Sequence, residues 1–117
     1  MKINKKKITK DAIDTFGIEN QFKMVNEEFA EVIQALNKIQ RTFTVEQIVE
    51  IKSGNFKFDN TKVSLTYCDM CSEIADAKIM IRQLEHIFSN DHINISEERK
   101  LIRLADRIKK FKNKKVK

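Results

Sequence analysis

Hydrophobic positions recur along this chain at three- and four-residue intervals, and period-two alternation is hard to find. That pattern predicts helices and no sheet. Ile18, Phe22, Val25, Phe29, Val32, Leu36 and Ile39 make one stripe on a helix over about 18 to 40. Tyr67, Met70, Ile74, Ala77, Ile81, Leu84 and Phe88 make another over about 61 to 89. Ile79, Met80 and Ile87 lie off this second stripe, so its helix is apolar over more than one face. A helix wetted on one side does not need that, and a central position covered from two sides is expected. A third stripe, Leu101, Leu104, Ala105, Ile108 and Phe111, predicts a helix over about 97 to 112, with Ser96 as cap and Glu97 and Glu98 at its positive end.

Shorter elements follow from local signals. Thr9 is a candidate cap for a helix over about 9 to 16, and Gly17 is free to take the left-handed conformation that ends it. Residues 41 to 60 form a connector longer than most helix–helix loops. Within it, Thr44 and Gln47 have capping-box spacing for a helix over about 45 to 52, which Ser53 and Gly54 end. Asp59 or Asn60 can cap the long helix that follows. The expected architecture is all-α, a single domain over 1–117, with basic flexible ends at about 1–8 and 112–117.

The 117 residues suffice for one core and not for two. With 41% hydrophobic and 34% charged residues, the composition is that of a folded soluble chain rather than a disordered one. No apolar run approaches the roughly 20 residues needed to span a bilayer, and MKINKKKITK has no apolar segment behind its lysines, so neither a membrane partner nor a secretory signal is expected. Two cysteines without an export signal suit a reducing cytoplasm. The net charge of +6 is concentrated at the two ends and would attract phosphate-bearing partners, nucleotide or nucleic acid alike.

The chemistry of interest lies in NEEFAEVIQAL, where Glu27, Glu28 and Glu31 crowd one helix at spacings that repel. The central helix repeats the device in SEIADAKIMIRQL with Glu73 and Asp76. Glu28 with Glu31, and Glu73 with Asp76, each flank one edge of an apolar stripe at i, i+3. An antiparallel hairpin of the two helices would bring both pairs to one groove. Each uncompensated charge there would cost several kcal/mol. A hard cation with oxygen ligands, Mg²⁺ first and Mn²⁺ as a substitute, is the expected remedy. Ordinary exposed carboxylates paired with Lys23, Lys38 or Lys78 are the plain alternative.

Glu28-Phe-Ala-Glu31 and Glu73-Ile-Ala-Asp76, with their surroundings GIENQFKMVNEEFAEVIQAL and CSEIADAKIMIRQLEHIF, resemble the two motif helices of the MazG-like all-α nucleoside triphosphate pyrophosphohydrolases, a group that includes the dimeric dUTPases. The likeness covers about residues 12 to 110 and is nearest to short, phage-type members. It implies Mg²⁺-dependent hydrolysis of a (deoxy)nucleoside triphosphate to the monophosphate and pyrophosphate, and a helical bundle completed as a homodimer or homotetramer. Glu28, Glu31, Glu73 and Asp76 would then hold the metal, and Glu27 beside them could orient or deprotonate the attacking water. Lys100, Arg103 and Arg107 stand where the family carries a basic segment and are candidates for the triphosphate. Gln21, with Asn20, could reach a base edge. The forty-one residues between Glu31 and Glu73 exceed the family's usual spacing, and the excess falls in the connector.

Two other readings remain. Cys68, Cys71, His86 and His92 have spacing close to a zinc finger. They fall on one long helical pattern, and fifteen helical residues from Cys71 to His86 span about 22 Å, too far for one zinc ion. Alternatively, the chain is a non-catalytic helical protein that regulates a partner or binds nucleic acid through its basic ends. In the enzyme reading nucleic acid is not an expected partner.

Overall fold

The computed structural model describes residues 2–115, and among them every regular element is a helix. The order is α1 (Lys5–Phe16), α2 (Ile18–Thr42), α3 (Val45–Ser53), α4 (Thr61–Ile87) and α5 (Asn90–Lys115). The contacts divide the chain into two compact units, Met1–Gln83 and Leu84–Lys117. Val116 and Lys117, within the C-terminal segment expected to be flexible, lie outside the described residues.

In the first unit, α1 begins four residues earlier than the hydrophobic pattern indicated. Its cap is Asn4, whose side-chain oxygen accepts from the Lys7 backbone N–H at 3.0 Å, and not Thr9. Thr9 is instead buried inside the helix and its hydroxyl donates to the Lys5 carbonyl at 2.8 Å. Much of the lysine-rich start is therefore helical. Gly17 joins α1 to α2 at φ 87° and ψ 150°, a conformation open essentially to glycine alone and not the left-handed turn expected there. Gly54, at φ 80° and ψ 11°, is the glycine that closes a helix in that way. The Thr44–Gln47 capping box at the head of α3 is complete, with hydrogen bonds of 2.8 and 3.1 Å.

The connector is tied down by a chain of edge-on and tilted ring contacts. Phe43 at the end of α2 meets Phe56 at 5.7 Å, Phe56 meets Phe58 at 4.8 Å, and Phe58 meets Tyr67 of α4 at 4.7 Å. The far end of α2 is thus linked to the first turns of α4, while the carboxylates of Glu28 and Glu31 meet Glu73. Two helices joined at those two levels run antiparallel.

The buried faces of the two helices are offset from the apolar stripes. On α2 the buried residues are Gln21, Val25 and Ile39, whereas Ile18, Phe22 and Leu36 are exposed. On α4 they are Thr66, Met80 and Gln83, whereas Ile74 and Ile81 of the expected stripe are 45% and 47% exposed. At about 100° per residue, the buried faces are rotated from the stripe centres towards the acidic edge, by roughly 40° on α2 and roughly 95° on α4. The hydrophobic core is correspondingly small: Val25, Ile39, Phe43 and Met80 are its buried apolar members among the described residues.

In the second unit, α5 begins at Asn90, seven residues before the expected start. Ser89, not Ser96, is placed to cap it, its hydroxyl accepting from the His92 backbone N–H at 3.4 Å. The helix then continues through the basic segment to Lys115.

Candidate metal centre

α2 supplies Glu28 and Glu31 one helical turn apart, and α4 supplies Glu73 and Asp76 in the same way. One carboxylate oxygen from each of Glu28, Glu31 and Glu73 lies within 4.8 Å of the other two. Asp76 adds its charge to the same place, because its field acts on both Glu28 and Glu73. The antiparallel register thus brings Glu28, Glu31 and Glu73 of the two motifs together, while Asp76 lies outside that three-residue group and bears on it through its charge.

The electrostatics are those of a crowded acidic cluster. Burial raises the Glu28 pKa above its ordinary value, and the carboxylates of Glu31, Asp76 and Glu73 raise it further. Glu73 is raised by burial, then by a side-chain hydrogen bond with Glu31 and the charges of Glu31, Asp76 and Asp69. Asp69 is a member of this field that the motif reading missed. The signal was available in its position four residues before Glu73, one turn away on the same face.

Among the described residues no lysine forms an ion pair with the cluster. The ion pairs among the described residues are Lys7–Asp11 at 3.6 Å and Lys110–Asp106 at 3.0 Å, so the expected alternative partners Lys23, Lys38 and Lys78 do not pair with the quartet. Glu28 Oε2 and Glu73 Oε2 are buried and have no hydrogen-bond partner. Buried carboxylate oxygens of this kind are normally satisfied by a donor or a cation. Three carboxylates that meet at one point, two of which carry a buried oxygen without a partner, would suit a hard divalent ion, and Glu28, Glu31 and Glu73, with Asp76 alongside, are the residues that would hold it.

The remaining candidates fall in different places. Glu27 is exposed on α2, beside Glu28. Gln21 is 1% exposed, and its amide oxygen lacks a partner while its nitrogen reaches only Met24 Sδ at 3.9 Å. In this conformation Gln21 meets a base only if the helices part. Gln83 of α4 is buried with the same orphaned oxygen, a match that hydropathy alone did not announce. Lys100, Arg103 and Arg107 are exposed on α5, in the second unit. Cys68 and Cys71 are exposed and unpaired on α4, and a hydrogen bond with Cys71 is the main cause that raises the Tyr67 pKa.

Comparison of the chain with protein-family models, with characterised proteins and with solved structures finds no match.

Proposed function

We propose that the protein is a Mg²⁺-dependent nucleoside triphosphate pyrophosphohydrolase of the MazG-like kind, cleaving a (deoxy)nucleoside triphosphate between its α and β phosphates. The observation that carries this reading is the meeting of Glu28, Glu31 and Glu73, with orphaned oxygens on Glu28 and Glu73, at the point where both acidic motifs converge. The resemblance of those motifs to the family supplies the reaction.

In this reading Glu28, Glu31, Glu73 and Asp76 are metal ligands held on two rigid helices. Bound Mg²⁺, or Mn²⁺ in its place, would neutralise phosphate charge and make a coordinated water acidic. Glu27, exposed next to Glu28, would take a proton from the attacking water. Water adds to the α phosphorus, the α–β bridging bond breaks, and pyrophosphate leaves. Lys100, Arg103 and Arg107 supply positive charge for the leaving phosphates.

Assembly into a homodimer or homotetramer belongs to the same proposal. Phe22, Leu36, Ile74 and Ile81 lie on the apolar stripes yet are exposed, because the two helices turn their acidic edges towards each other. A second copy covering these side chains would complete a helical bundle. No helix of the described residues is long and apolar enough to cross a membrane, so that face has no bilayer-spanning role.

Incubation with Mg²⁺ and each nucleoside and deoxynucleoside triphosphate tests the activity. Pyrophosphate and monophosphate should form in equal amounts and should fall to background with Glu28→Ala. Release of orthophosphate, or no turnover of any nucleotide, rejects the reading.

A further inference from the structure

α5 carries more positive charge than the hydrolase reading uses. The basic end expected to be a solvated tail continues the helix to Lys115, and every residue of α5 except Ile93 is exposed. Continuity aligns the charges. At about 100° per residue, Arg99, Lys100, Arg103, Arg107, Lys110 and Lys114 all fall within an arc of roughly 100°. They form a ridge about 22 Å long. From 99 to 115 the only acidic residue is Asp106, which Lys110 engages at 3.0 Å.

The ridge is longer than three linked phosphates can reach, so a nucleoside triphosphate does not account for it. A second copy of α5 does not suit it either, since like ridges would face each other. An anionic membrane fits poorly. Lys112 and Lys115 interrupt the apolar arc of Leu101, Leu104, Ile108 and Phe111, so a helix lying in the interface would press two ammonium groups towards the acyl chains. The phosphate backbone of a nucleic acid fits the charge and the length. Double-stranded DNA carries one charge per roughly 1.7 Å, about thirteen along this ridge, enough to meet every cation on it.

We propose that the Arg99–Lys114 ridge of α5 docks the phosphate backbone of nucleic acid without reading its sequence. The ridge shares Lys100, Arg103 and Arg107 with the triphosphate contacts proposed above, whereas Arg99, Lys110 and Lys114 have no part in them, so a test on these three separates docking from hydrolase activity.

The test uses the full-length protein with labelled duplexes of two unrelated sequences and with one of their single strands, titrated between about 50 and 200 mM salt. The two duplexes should bind equally, with log K falling against log salt at a slope of roughly −4 to −5 for the duplex. Arg99→Gln/Lys110→Gln/Lys114→Gln, none of them placed against the nucleotide substrate, should reduce that slope by about two to three and weaken binding about tenfold or more. Circular dichroism checks that α5 is intact in the variant. The proposal is overturned by absence of binding at about 50 mM salt, by a slope near zero, by a triple variant equal to wild type, or by tighter association with phosphatidylserine vesicles than with either nucleic acid.

Discussion

A carboxylate oxygen of Glu31 on α2 and one of Glu73 on α4 lie within 4.8 Å of each other although forty-one residues separate them in the chain. Two carboxylates this close repel when both are ionised, so the site is one in which full ionisation is costly. Glu28 and Glu73 both bind a proton more tightly in the fold than at the ordinary carboxylate value of 4.5. Their contribution to stability is therefore complete below that value and is lost as pH rises through their raised folded values. In EDTA, Glu73→Gln should melt at a higher temperature than wild type at about pH 8, and the gap should narrow towards about pH 5. An equal gap at both pH values would show that titration of this cluster is not its source.

Divalent metal should reverse the penalty. A ligand that binds only the folded state at a hundred times its Kd adds about 2.7 kcal/mol. Mg²⁺ should accordingly raise the melting temperature at about pH 8, do so less at about pH 5 where protons compete, and do so hardly at all in Glu28→Gln or Glu73→Gln. Mn²⁺ should act like Mg²⁺. A shift of the same size in wild type and in both variants would place the ion elsewhere.

Much of this was legible in the sequence. Helix after helix follows from three- and four-residue spacing, and the Thr44–Gln47 box, read from two residues, is present as written. The meeting of Glu28, Glu31 and Glu73 was legible because a carboxylate pair at the edge of an apolar stripe is unusual. What the pattern concealed was the rotation of α2 and α4 about their own axes. Hydropathy points Ile74 and Ile81 inward, yet Thr66, Met80 and Gln83 are the buried residues of α4. A stripe does not say whether its own chain or a second copy will cover it. Helix ends were misplaced where capping residues competed: Asn4 against Thr9, and Ser89 against Ser96. In both cases the helix extends into a polar stretch that has no apolar periodicity to reveal it.

The four ligands and Glu27 should separate kinetically. Removing an outer-shell partner of a metal typically costs 10- to 100-fold, so removing a ligand should cost more. Glu28→Gln, Glu31→Gln, Glu73→Gln and Asp76→Asn should each lower kcat/KM for the best nucleotide by at least about a hundredfold and weaken the Mg²⁺-induced thermal shift. Glu27→Gln should lower kcat by about a hundredfold or more while leaving that thermal shift intact, because a general base acts on the water without holding the ion. Loss of the thermal shift in Glu27→Gln would make Glu27 a ligand; unchanged kcat would remove it from the reaction.

The rotated helix faces make the last prediction specific to position. Ile74 and Ile81 are about half exposed, and a charge placed at either costs the isolated chain little because each already meets water. Covered by a second copy, the same charge would be stranded in an apolar contact. Ile74→Glu and Ile81→Glu should therefore keep the helical circular dichroism of wild type and elute with the light-scattering mass of a monomer. Met80, 5% exposed between them, faces the chain's own interior. Met80→Glu buries an unpaired carboxylate and should lower the melting temperature markedly, whatever the protein concentration. A wild-type protein that is already monomeric, or Ile74→Glu and Ile81→Glu variants that keep the assembled mass, would exclude this face from the subunit contact.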